Sequence, residues 1–284
     1  MNRRNGFIEF LKKFAHHRLA LAAAIILLIE IALIGFLPVV MNLDPYTSDV
    51  LAFKAPPSAA HWFGTDDTGR DLFARVICGG KTSLMVGLLS VAISVGIGLP
   101  LGLIAGYFRG AAEMIIMRLA EVFMSFPTII LVLVVVSITN SKVITLIFII
   151  GIMGWPAIAK LIYGSVLSVR EKEFIKAARA TGELNISIIL RYILPNATSP
   201  LWVSLPFRIS QAIILESSLS FLGAGIQPPE PSWGNIIYAA QNLTVLKGRP
   251  WLWSIPGAFL IVTIICINFV GEGVRDAFDP KIRR

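Results

Sequence analysis

Six apolar runs, each about as long as a helix needs to be to cross a bilayer, constrain this chain more than any other feature. They are roughly Leu19 to Val40, Leu84 to Phe108, Ile115 to Ile138, Val143 to Leu167, Pro200 to Ala224 and Trp253 to Val274. The hydrocarbon core of a membrane takes about 20 apolar residues in helical form, and more when the helix tilts. Backbone polar groups find no water there, so each run has to satisfy its own hydrogen bonds as a helix. The ~10-residue alternating segments of a membrane barrel do not occur. Composition agrees: 15% of the 284 residues are charged and 56% are hydrophobic, against about 25% charge in a soluble domain. The expected fold is all-α, a polytopic membrane protein with six transmembrane helices. Its divisions are a basic cytoplasmic tail over 1–18, a first transmembrane helix over 19–41, an extracytoplasmic loop over 42–82, a five-helix core over 83–276 and a cytoplasmic tail over 277–284. The core carries an inner loop over 170–196 and an outer loop over 226–252.

Lys and Arg set the orientation. With the N-terminus inside, seventeen of them fall on inner segments and seven on outer ones, a positive-inside bias that puts both termini in the cytoplasm of a multi-pass cell-membrane protein. The net charge of +8 therefore marks a membrane face in contact with lipid and not a nucleic-acid footprint. The basic head (Arg3, Arg4, Lys12, Lys13, Arg18) precedes an apolar run longer than the ~7–15 residues of a signal-peptide core, so it reads as a retained anchor. Trp62, Trp233, Trp251 and Trp253 fit an interfacial aromatic belt. Cys78 precedes one span and Cys266 lies inside another, a poor arrangement for a disulfide.

The spans are not smooth. Gly87, Ser90, Ser94, Gly98, Gly102 and Gly106 form a mostly fourfold ridge of small residues that lets another helix approach closely. Pro100, Pro127, Pro156 and Pro256 lie in or near four spans, where each removes a backbone hydrogen bond. Two carboxylates fall at membrane depth and should face protein or water. Glu30 reads as structural. Glu216, in a serine-rich stretch with Ser217 and Ser220, reads either as a polar wall of a translocation path or as a structural hydrogen bond to a neighbouring helix or to Arg208.

Most of the polar character of the second half is concentrated in "EKEFIKAARATGELNISIILRYILPN", residues 171–196. Its first helix puts Phe174, Ala177, Ala178 and Thr181 near one face and Lys172, Lys176 and Arg179 on another. Gly182 allows a change of direction. Asn185 or Ser187 is positioned to cap the second helix, and Pro195 to end it. A basic amphipathic loop would also bind lipid headgroups, but it has no need of an alanine pair, a glycine break and a Leu-Pro stop. The pattern suits a rigid knuckle presented to another protein.

Here the chain resembles the permeases of ABC importers. Lys176, Ala177, Ala178, Gly182, Tyr192, Leu194, Pro195 and Asn196 match the spacing of their EAA loop. Lys176 stands where Glu is common and Tyr192 where His is common. "HWFGTDDTGRDLFARVICGGKTSL", with Gly64, Asp66, Gly69, Arg70 and Asp71, and "LSFLGAGIQPPEPSWG" are similar to two further signatures of the peptide/nickel subgroup, in its second membrane subunit. The resemblance covers nearly the whole chain. It implies the type I permease fold, and a heterodimer with a homologous permease. Two ATPase subunits would bind ATP and Mg and take up the 171–196 loop, and an extracytoplasmic binding protein would deliver peptides or related small solutes. A nickel or metal-chelate importer is the nearest alternative, and an ion-coupled secondary transporter the alternative of another class.

Chemistry of the chain's own is not expected: it carries no catalytic residue, metal site or cofactor. "CGGKTS" ends like a P-loop, but Arg75 stands where the first glycine belongs. "GTDDTGRD" fails as a calcium loop because Gly64 stands where the first carboxylate belongs; Asp66 and Asp71 are instead expected to cap turns, with Arg70 pairing locally. His16 and His17 are adjacent and diverge on a helix. An intramembrane protease would need a motif such as H-E-x-x-H or paired aspartates in the spans.

Overall fold

A computed structural model describes residues 13–139 and 142–278. The basic and C-terminal tails over 1–12 and 279–284 lie outside the described residues. The described chain is helical: α1 (Arg18–Val40), α2 (Leu72–Phe108), α3 (Gly110–Met124), α4 (Thr128–Ile138), α5 (Val143–Arg170), α6 (Glu173–Ala180), α7 (185–197), α8 (Ser199–Phe221), α9 (Trp233–Ile237), α10 (Leu243–Gly248) and α11 (Trp251–Phe278). Two isolated β-bridges, within 48–71, are the extended pairing among these residues.

α1, α2, α5 and α11 are each long and apolar enough to cross a membrane. The other two expected spans differ from expectation. The third is broken: α3 and α4 pass the same test only as a pair, bent by 85°. The break falls at Ser125–Pro127, where Pro127 cannot donate a backbone hydrogen bond and restricts the residue before it. Pro100, Pro156 and Pro256 all sit inside continuous helices. The fifth, α8, has the 23-residue length of a span but carries Arg208, Gln211, Glu216 and several serines. The second span starts earlier than expected. α2 runs for 37 residues from Leu72, about 55 Å at 1.5 Å per residue, against a hydrocarbon core of about 30 Å. Residues 72–82, expected in a loop, are its first turns, with Asp71 capping the Ala74 N–H. The glycines of "CGGKTS" are thus helical and no phosphate loop forms.

The small-residue ridge organises the bundle. A Cβ on Gly98 would lie 2.7 Å from the Trp155 carbonyl oxygen, and one on Gly102 would lie 2.6 Å from that of Ala159. α2 and α5 therefore meet backbone to backbone, and the Ser94 hydroxyl donates across the contact to the Gly151 carbonyl at 2.7 Å. Gly87, higher on the same ridge, takes Ile213 of α8. α1 leans on α11, where Thr263 Oγ1 donates to Glu30 at 2.6 Å, the structural role expected for Glu30. Cys78 and Cys266 are both free thiols.

Candidate functional site

Residues 171–198 form the knuckle at one end of the bundle. α6 ends in a Schellman motif: the Gly182 N–H donates to the Arg179 carbonyl at 3.0 Å and the Glu183 N–H to the Ala178 carbonyl at 3.2 Å. That closure needs a left-handed residue, and Gly182 supplies φ +77°. Nothing crowds its α-carbon, so the requirement for glycine is conformational and not steric.

An apolar stripe seats the knuckle. Ile175, Ala178, Ile188, Ile189, Ile193 and Ala197 are buried against α2, α5 and the start of α8. Tyr107, at the end of α2, is the hub of the polar ties. Its hydroxyl donates to Asn185 Oδ1 at 2.6 Å, and the Arg179 guanidinium sits 4.9 Å above its ring. The Arg170 guanidinium donates to the Gly106 and Tyr107 carbonyls at 3.2 and 3.0 Å. The sequence reading passed over Tyr107; a tyrosine closing an apolar run was its one signal.

Three local expectations are corrected. The alanine pair splits, with Ala177 outward and Ala178 in the buried stripe, because consecutive helical residues diverge by about 100°. Neither Asn185 nor Ser187 caps α7: Leu184 is its N-cap and makes no side-chain bond, Asn185 serves Tyr107, and Ser187 donates to Glu183 at 2.6 Å. Pro195 does not stop the helix. The preceding residues Ile189–Ile193 widen into a π-turn, which accommodates the missing proline N–H and lets α7 run on to residue 197. Lys176, Ala177, Gly182, Pro195 and Asn196 face outward, with Tyr192 and Leu194 half-buried. Phe174 is 42%, Leu184 73% and Leu190 55% exposed.

The opposite end is built from 42–75 and 226–237. Asp66 Oδ1 accepts from the Thr68 N–H at 2.8 Å and the Arg70 N–H at 3.0 Å, closing the turn as expected. Asp66 Oδ2 takes Arg75 at 3.3 Å, and Arg70, expected to pair locally, reaches the same oxygen at 3.9 Å. Arg75 also donates to the carbonyls of Pro45 and Pro229, at 3.2 and 3.4 Å. One buried guanidinium thus stitches both loops to α2. Gly64 and Gly69 adopt φ of +80° and +79°, and a Cβ on either would collide with a carbonyl oxygen, that of Ala55 or Asp49 respectively. Asp71 holds His61 Nδ1 at 2.8 Å while capping α2.

Below these loops Glu216 is fully buried. It accepts from Ser83 at 3.1 Å, Ser220 at 2.8 Å and Ser217 at 3.3 Å. Ser83 Oγ in turn accepts the Trp233 N–H at 3.2 Å. Trp233, expected as a belt anchor, is wholly buried with its indole N–H on the Val76 carbonyl at 3.0 Å. The bond to a neighbouring helix that the structural reading of Glu216 expects is present, with Ser83 of α2 as the partner and not Arg208. The two carboxylates an ion-coupled transporter would use are therefore both engaged in fixed helix contacts.

A cavity of about 530 Å³ lies elsewhere, walled by α2, α3, α4, α5 and α8. α8 turns Arg208, Gln211, Ala212, Leu215 and Ser218 toward it, a stripe of 3–4-residue spacing; Glu216, Ser217 and Ser220 lie off that stripe.

The chain's relatives agree on its class. Residues 98–284 match the family described as binding-protein-dependent transport system inner membrane component. A peptide permease protein of Brucella suis is 38% identical over 95% of this chain and 89% of its own length. The glutathione transport system permease protein of Pectobacterium atrosepticum is 37% identical over 99% and 93%. The oligopeptide transport system permease protein of Bacillus subtilis is 33% identical over 96% and 88%. Among solved structures, a chain of the MetNI methionine ABC transporter in an inward-facing conformation superposes with a TM-score of 0.60 at 21% identity, covering 73% of this chain and 98% of that one. This last likeness is one of fold.

Proposed function

Because this chain belongs to the binding-protein-dependent inner-membrane family, the permeases of ABC importers, we propose that it is the second membrane subunit of an ATP-driven importer for peptides or related small solutes. It is a multi-pass membrane protein of the type I permease fold. The 171–198 knuckle is the surface a cytoplasmic ATPase subunit grips, and the end formed by 42–75 and 226–237 faces outward, toward a substrate-binding protein. ATP and Mg belong to the ATPase subunits. A homologous permease completes the pathway, and both termini are cytoplasmic.

The observation that carries this reading is the knuckle itself. It is closed by a Schellman turn at Gly182, fastened to α2 and α5 through Tyr107, Arg170 and the buried isoleucines, and bare on its outer face. A lever must be stiff toward what it moves and open toward what moves it. Labelling tests the arrangement in intact cells. Asp67→Cys should react with an impermeant maleimide from outside, and Glu183→Cys only after the membrane is opened. The reverse pattern would overturn the orientation. In vesicles holding the whole importer, uptake should require both ATP and the binding protein; uptake driven by an ion gradient alone would overturn the class.

A further inference from the structure

We propose that Arg208 is an anion-recognition residue in the cavity, receiving a carboxylate of the transported solute. The inference rests on the peptide-importer reading and deepens it. Arg208 lines the cavity from α8, and no acidic residue lines it with Arg208. The guanidinium makes one long hydrogen bond, to the Ala157 carbonyl at 3.4 Å, and its buried Nε has no acceptor. Arg170, at the end of α5, shares the unsatisfied Nε but donates twice to α2 at 3.0 to 3.2 Å and lies 3.6 Å from Glu171, and Arg75 has an aspartate and two carbonyls. Of these three, Arg208 makes the fewest hydrogen bonds and is the one with no carboxylate within ion-pair distance among the described residues. A cation at membrane depth is expensive unless it is paired or hydrated, and in this fold it is paired with neither Glu216 nor Glu30, both of which bond to hydroxyls of other helices.

The rest of the wall fits the same solute class. Ser90, Ser94 and Gln211 stand with Arg208 amid Met153, Phe123 and other apolar residues. That is one charge for a terminus, a few neutral polar groups for amides, and apolar surface for side chains. A guanidinium presents a planar fork that matches a carboxylate in a bidentate manner. A solute without a carboxylate forgoes that bidentate, charge-paired contact.

The test uses the purified, complete importer without its binding protein, so that selection by that protein does not intrude. Cys78 and Cys266 are replaced by serine, and Gln211→Cys, about one helical turn from Arg208, reports through its rate of maleimide labelling. Dialanine should slow labelling at least threefold and its C-terminal amide should not. Arg208→Gln should abolish the protection by dialanine, and Arg208→Lys should keep part of it. In vesicles with the binding protein, Arg208→Gln should lower uptake about tenfold in complexes that still purify with all subunits. Equal protection by peptide and amide, or unchanged protection in Arg208→Gln, would overturn the carboxylate site while leaving the importer reading intact. Loss of ATP-dependent uptake from the unsubstituted importer would strike the importer reading instead.

Discussion

The two ends of this molecule are finished differently. At the 42–75 and 226–237 end the polar groups are satisfied inside the chain. Arg75 meets Asp66 and two carbonyls, Glu216 meets three serines, and Trp233 is wholly buried with both N–H groups bonded. At the 171–198 end the inner face is equally well fixed, but the outer face shows Phe174, Leu184, Ile186 and Leu190 to the surroundings. The polar network of the first end closes on itself, although Val50, Leu51, Phe53 and Trp62 are bare on its surface. At the second end the bare apolar residues lie on the two short helices of the knuckle, surface of the kind that marks a partner site. Substitutions should therefore separate: in the buried network of the first end they should cost stability, and on the outer face of the second they should cost function and leave stability nearly untouched.

The largest loss should come from Trp233→Ala. The side chain fills the space between α1, α2 and α11, within 2.8 Å of a Cβ placed on Gly80. Emptying such a site costs about 3–5 kcal/mol, and the Val76 carbonyl loses the indole N–H. Thermal dissociation of the purified importer should fall sharply, and the 226–252 segment should become sensitive to protease. Near-native melting would mean that this end is not the fixed one.

Glu216 comes next. Glu216→Ala strands the hydroxyls of Ser83, Ser217 and Ser220 and leaves a void, at a cost of about 2–4 kcal/mol. Glu216→Gln keeps the shape and an acceptor oxygen and should cost about 1 kcal/mol. Uptake per surviving complex should stay close to native in both. Loss of uptake in Glu216→Gln with native melting would instead restore Glu216 to the solute's path.

How much of this contrast was legible in the sequence follows the range of the interactions. Four of the six spans, the glycine ridge of α2 and the positive φ at Gly182 are local or periodic properties, and they appear in the structure, the second span with an earlier start. So do the turn at Asp66 and the cap at Asp71, where the side chain bonds to backbone within four residues. What was not legible depends on partners far away in sequence. Glu216 is 133 residues from Ser83 and Trp233 is 157 from Val76, so a tryptophan near a loop reads as a membrane anchor, and a carboxylate near serines reads equally as a wet wall or a helix contact. The start of α2 was misplaced for a related reason. Arg75 and Lys81 lower the apolar density of its first turns, yet those turns are helical because Asp71 caps them and Trp233 covers them. The cavity stripe on α8 was within reach, since Arg208, Gln211, Leu215 and Ser218 recur at helical spacing; attention to the acidic residue hid the basic one.

At the knuckle, Gly182→Val should have a modest effect on stability. A left-handed conformation costs a non-glycine residue about 1–2 kcal/mol, with a β-branched residue at the upper end, and no atom lies within 4 Å of the added Cβ to raise the cost further. The permease should insert and assemble, but the turn between α6 and α7 should open and the two helices should no longer move as one body. ATP hydrolysis should persist while uptake falls at least tenfold. Normal uptake in vesicles would show that the angle at Gly182 does not matter to coupling.

The smallest effect on the chain itself should come from Leu184→Asp, and it is the sharpest test of the contrast. Leu184 is 73% exposed, so removing its side chain from the surface costs the isolated permease little, within about 0.5 kcal/mol as for other exposed positions. If the bare face is the ATPase grip, a carboxylate there must be desolvated against the partner on every docking event. Loss of a buried apolar contact together with burial of an unpaired charge is then enough to weaken association tenfold or more. The measurement is co-purification of the ATPase subunits with the membrane subunits at increasing salt, beside the melting of the membrane subunits alone. Weakened co-purification with unchanged melting separates the two ends as argued. If the ATPase is retained in full while melting falls, Leu184 belongs with the self-completed surfaces, and the grip has to be sought on the side of α6 that carries Phe174 and Ala177.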